Sequence, residues 1–133
     1  MTAALVACGA PAERPAAVPG TAASGTAAVA DCGTFTLDQG EEMPDAAARC
    51  LVDAAAAHRP ARLHVTSPTV EGDPIPTTYV ARADGRVDLI TDTRLDKFGA
   101  RGITLSTCAA PTLADRGIEV GDCSDPTPVR DGG

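Results

Sequence analysis

The chain has almost no large apolar side chains with which to build a core, and that shortage constrains its fold more than any motif does. Its 133 residues include one Tyr, two Phe and no Trp, namely Tyr79, Phe35 and Phe98. A domain so short of aromatic anchors needs another source of stability. Four cysteines, Cys32, Cys50, Cys108 and Cys123, supply it. An even set of cysteines in a small exported domain reads as two disulfides, each worth about 2–4 kcal/mol. Zinc is the poorer reading, because neither C-x-x-C nor H-x-x-x-H occurs. Three pairings exist, of which the two short loops, Cys32–Cys50 and Cys108–Cys123, are preferred.

The fifth cysteine has a different setting. Leu5-Val6-Ala7-Cys8 resembles a bacterial lipobox, in which the cysteine is acylated and becomes the mature N-terminus. Only Met1 to Ala7 precede it, without a basic residue, so the full export signal is expected to begin further upstream. Residues 9–30 carry Pro11, Pro15, Pro19, Gly20 and Gly25 and no aromatic, a composition that cannot offset its own chain entropy. This stretch is expected to be a disordered tether. The net charge of −7 argues against nucleic acid and against an electrostatic grip on anionic lipid. No apolar run approaches the roughly 20 residues of a spanning helix. Membrane contact is therefore expected through the Cys8 acyl chains alone, placing the domain on the extracytoplasmic face of the cell membrane.

About 100 residues remain, enough for one domain. Gly33–Leu37 alternates Phe35 and Leu37 with threonines, a short strand. Pro44 followed by Asp45 suits a helix start, and Ala47, Cys50, Leu51, Ala54 and Ala57 recur at helical spacing up to His58. Pro60 stops that helix. The period then changes to two, with strands expected over Arg62–Thr66, Thr77–Ala83, Arg86–Asp92 and Gly102–Thr107. Asp84-Gly85 reads as a two-residue hairpin turn. That register pairs Val80 with Leu89 and Tyr79 with Ile90. It turns Val80, Val87 and Leu89 toward the helix, and Tyr79, Ala81, Asp88 and Ile90 away from it. The expected fold is α+β, one helix packed on a small antiparallel β-meander and braced by disulfides, over residues 31–123. Beyond Cys108 a loop carrying Leu113, Ile118 and Val120 is expected, pinned by Cys123, with a frayed tail over 124–133.

Two motifs carry the candidate site. Thr69-Val70-Glu71-Gly72-Asp73-Pro74-Ile75 precedes the hairpin, and Thr91-Asp92-Thr93-Arg94-Leu95-Asp96-Lys97-Phe98-Gly99 follows it, with Thr107-Cys108 beyond. Together they resemble an uncharacterised domain of bacterial lipoproteins recognised by T-x-E-G-D-P-I and D-K-F-G runs, over roughly residues 31–108. The resemblance implies one folded unit at a cell surface and supplies no catalytic residue. Continuing the hairpin register brings Asp73 beside Asp96, so that Thr69, Glu71, Asp73, Asp92 and Asp96 gather near Lys97, the single lysine. Such a group either binds a hard cation or a cationic ligand, or caps turns and pairs with Lys97 and Arg94.

Enzyme motifs are missing: the sequence holds no G-x-S-x-G, H-E-x-x-H or P-loop, and His58 and His64 adjoin no nucleophile motif. No cofactor, metal or catalytic residue is expected. Two functions remain, a tethered binding or interaction module for a protein or wall ligand, and a protease-inhibitor-like domain presenting the loop Pro68–Pro76.

Overall fold

A computed structural model describes residues 28–130. Cys8 and most of the expected tether lie outside the described residues. The elements run β1 (Ala30–Thr36), α1 (Asp45–Ala56), β2 (Ala61–Pro68), β3 (Pro74–Ala81), β4 (Val87–Asp92), β5 (Ile103–Cys108), β6 (Thr112–Ala114), β7 (Gly117–Glu119) and β8 (Thr127–Pro128). Six strands form one sheet in the order β1-β2-β3-β4-β5-β8, and β6 pairs with β7 in a separate hairpin. The fold is α+β, and it is braced by Cys32–Cys50 and Cys108–Cys123.

The sheet is mixed. The run from β2 to β5 is the expected antiparallel meander, but β1 lies parallel to β2. Adjacent parallel strands need a crossover, and α1 supplies it. The chain beyond Cys108 is also more ordered than expected. Leu113 and Ile118 face each other across the β6–β7 hairpin. Past the boundary drawn at residue 123, Thr127 pairs with Leu105, so this part of the expected tail is the sheet's last strand. At the other end β1 starts at Ala30, inside the stretch read as tether.

The helix begins where Pro44 offers its carbonyl to the N–H groups of Ala47 and Ala48, with Asp45 at the positive end of the dipole. It ends in a left-handed turn at His58, φ 55°. The His58 N–H donates to Ala55 O at 3.0 Å and the Arg59 N–H to Ala54 O at 2.8 Å, a Schellman arrangement. Ala47, Ala48, Leu51, Ala54 and Ala55 are buried. They meet Ala61, Leu63 and Val65 of β2, Ala81 of β3, and Val87 of β4. Most of the helix's side of that contact is alanine, small side chains that allow a close approach to the sheet.

The β3–β4 register differs from expectation by one residue. Val80 lies opposite Asp88, and Tyr79 opposite Leu89. The turn has three residues, not two: the Arg82 N–H donates to Arg86 O at 2.8 Å and the Gly85 N–H to Arg82 O at 3.0 Å. Gly85 takes φ 89°, and the Asp84 carboxylate accepts the Arg86 N–H at 3.0 Å. A type I turn closed by a left-handed glycine is the usual three-residue alternative to the two-residue turn. The slip leaves β4 as expected, Val87 and Leu89 toward α1, and inverts β3. Ala81 is buried in the core and Tyr79 packs against it, while Val80 turns to the opposite face.

Candidate functional site

Three loops meet at one end of the sheet: residues 37–44 after β1, 69–73 between β2 and β3, and 93–102 between β4 and β5. The second is a closed turn. Thr69 N–H donates to Asp73 O at 2.8 Å, Asp73 N–H donates to Thr69 Oγ1 at 3.0 Å, and Gly72 takes φ 96°. The third is held at its neck by Thr93, whose hydroxyl donates to Ala100 O at 2.7 Å. Inside it, Asp96 Oδ1 accepts the N–H groups of Phe98 and Gly99, each at 2.9 Å. A Cβ on Gly99 would sit 2.5 Å from Asp96 Oδ2, so any side chain there would have to displace the carboxylate around which the turn folds.

Asp73 joins the two loops. It is only 5% exposed, yet its carboxylate is satisfied: Oδ2 accepts the Lys97 N–H at 2.9 Å, and Oδ1 lies 3.4 Å from Lys97 Nζ. The Lys97 backbone N–H, followed by its ammonium, holds the Asp73 pKa below the usual aspartate value against the opposing effect of burial. The nearness of the two motifs read from the sequence is thus real, although the partner of Asp73 is Lys97 and not Asp96. Gln39 adds the first loop by donating from Nε2 to Val70 O at 3.4 Å as well as to Thr69 O.

Asp73, Asp92 and Asp96 each have separate partners. Asp92 is clasped by Arg94, with Nε at 2.9 Å and Nη2 at 2.7 Å, and this pairing lowers its pKa. Asp96 is used by its own turn and Asp73 by Lys97. Glu71 is exposed at the tip of its loop. Among the described residues no group of three or more His, Cys, Asp and Glu side chains is placed to hold a metal ion. In this structure these carboxylates cap turns and pair with Lys97 and Arg94.

What the loops display is apolar. Val70 is 92% exposed, Leu95 62% and Phe98 75%. A chain with three aromatic residues, whose helix packs through alanines, puts one of its two phenylalanines in solvent. The sequence did contain the signal: Leu95 and Phe98 sit among Arg94, Asp96 and Lys97, outside any strand or helix period.

Comparison with protein-family models, with curated proteins and with solved structures finds no match to this chain. No helix among the described residues is long and apolar enough to cross a membrane.

Proposed function

We propose that the chain is a lipid-anchored, extracytoplasmic interaction module that grips a partner protein through Val70, Leu95 and Phe98. The observation that carries this reading is the pair of loops clipped together by buried Asp73 and tipped with exposed apolar side chains. Exposed large apolar groups on rigid supports are typical interface anchors, since little ordering entropy is spent when they are buried. Asp92 is paired with Arg94 and Asp73 with Lys97, so what these loops offer a partner is chiefly their apolar tips. The protease-inhibitor alternative fits less well. Pairing between β2 and β3 extends to Pro68 and Pro74, which leaves only a tight turn, 69–73, where an inhibitor would offer an extended segment.

The test is a photo-crosslinking amino acid placed at Val70, Leu95 or Phe98 of the full chain, expressed with a complete export signal. One discrete adduct shared by the three positions and absent from Arg59 is expected. Phe98→Ser should abolish the adduct formed from Leu95 and change stability by less than about 0.5 kcal/mol. Cys8→Ser should release the protein from the membrane fraction. Equal labelling at all positions, or none, would overturn the interface.

A further inference from the structure

The two edges of the six-stranded sheet are finished differently. β8 is two residues long and ends in Pro128, which has no N–H to offer a further strand. β1 has seven residues, no proline and no lysine, and Asp31 is its single charge. Edges are ordinarily shielded by such residues or by a bulge. A bulge does shield the first half of β1: the register shifts between Asp31 and Thr34, Gly33 takes φ 113°, and its N–H donates to the Asp31 carboxylate at 2.9 Å. Among the described residues nothing comparable protects the second half.

Hydrogen-bond alternation identifies the groups left open. The Leu37 N–H donates to Thr66 O at 2.8 Å, so Leu37 and, two residues back, Phe35 turn their main-chain groups to β2. Thr34 and Thr36 therefore point their N–H and C=O groups outward, where no described residue meets them, and both side chains are exposed. Between them, Phe35 lies on the helix side of the sheet, opposite Val65, and packs against the core while staying only half-buried. Its ring lies back over Gly33, where a Cβ would come within 2.7 Å of it. A protein with three aromatic residues thus leaves one partly bare at an unfinished edge.

We infer that β1 pairs with the β1 of a second copy of this chain, antiparallel and across a twofold axis at Phe35. The segment is self-complementary in that register. Each Thr34 exchanges both main-chain hydrogen bonds with the second copy's Thr36, and the threonine side chains pair on the open face. The two Phe35 rings come side by side in the close, non-hydrogen-bonded position, so one contact covers the bare side of both. No charged residue lies among the three paired positions, so a chain of net charge −7 brings no like charges directly together there. The helices do not obstruct the seam. α1 packs on β1, β2 and β3 and so is centred on β2. In the dimer the two helices lie on the same side of the sheet, three strand spacings or about 14 Å apart. Packed helices approach to about 8–10 Å, so the pair stays clear of contact. The seam does not involve Val70, Leu95 or Phe98.

The test is sedimentation velocity of the full chain carrying Cys8→Ser, which removes the one cysteine outside the two disulfides. Concentrations run from about 10 μM to about 1 mM, the range that suits a small interface. A reversible monomer–dimer equilibrium is expected. Thr36→Pro deletes an outward N–H, leaves the β1–β2 bonds in place, and should weaken the dimer at least about tenfold. Should proline disturb the strand, charge supplies a second route. Thr34→Glu with Thr36→Glu, and Thr34→Lys with Thr36→Lys, should each give monomers alone and a heterodimer when mixed. A chain that stays monomeric over the whole range, a dimer that tolerates Thr36→Pro and both charged pairs, or charged variants that do not recombine would overturn the assignment.

Discussion

Single residues in this protein carry tasks that a larger core would spread over many. Asp73 replaces loop-to-loop apolar packing with one satisfied carboxylate. His58 closes α1 in a conformation that favours glycine, and its ring covers Gly85 in the β3–β4 turn. A Cβ on Gly85 would lie 3.2 Å from His58 Nε2 at φ 89°, so it meets both a contact and backbone strain. Gly85→Ala is therefore expected to cost about 1–3 kcal/mol in urea denaturation. Adding His58→Ala to Gly85→Ala should recover the contact part and leave the strain. Full recovery would show that backbone strain at Gly85 contributes nothing.

The elements are weak alone and depend on cross-links. The helix buries four alanines and one leucine, so packing gives it little of what a leucine-rich stripe would supply. Cys32–Cys50 ties it to β1, and Cys108–Cys123 ties the end of β5 to the chain that follows β7. Replacing Cys32 and Cys50 together by Ala should destabilise the domain by about 2–4 kcal/mol and lower helical content, measured by circular dichroism through a denaturant series. Loss of the Cys108–Cys123 pair should act mainly on β6, β7 and β8. If the first pair could be removed without cost, the alanine helix would have to be sufficient by itself.

For the molecule as a whole the sheet has one covered face. α1 lies against it with the β6–β7 hairpin packed on the helix, and no described element covers the face carrying Val80, Ile90 and Leu105. Charge also acts globally. Asp73, Asp84 and Asp92 all have lowered pKa values, caused first by the Lys97 N–H, the Arg86 N–H and the Arg94 guanidinium respectively. A carboxyl whose folded pKa is depressed adds stability above its unfolded pKa, and that stability is lost as pH falls through the folded value. The protein should therefore hold its stability near neutrality and lose it from about pH 5 downward. Asp73→Asn should be less stable than the parent at neutral pH, and the gap should close in acid. A gap that widens as pH falls would mean that the Asp73 carboxyl is favoured in its protonated form.

Much of the architecture was legible from local pattern. Helical spacing over 47–54, alternation in β2 to β5 and the spacing of four cysteines yielded the α+β class and both disulfides, because those signals arise within a few residues of chain. The parallel placement of β1 was not legible: a strand's direction in a sheet depends on which edge its crossover returns to. The hairpin register was missed for a related reason, since Asp-Gly suits a two-residue turn and equally a three-residue turn with Gly85 in the left-handed position. The short strands β6 to β8 carry too few residues for periodicity and exist because β5 and α1 offer them a surface. The same holds for the site. The two motifs announced that Asp73 would come near Asp96 and Lys97, whereas the exposure of Phe98 was decided by how the 93–102 loop folds around the Asp96 carboxylate.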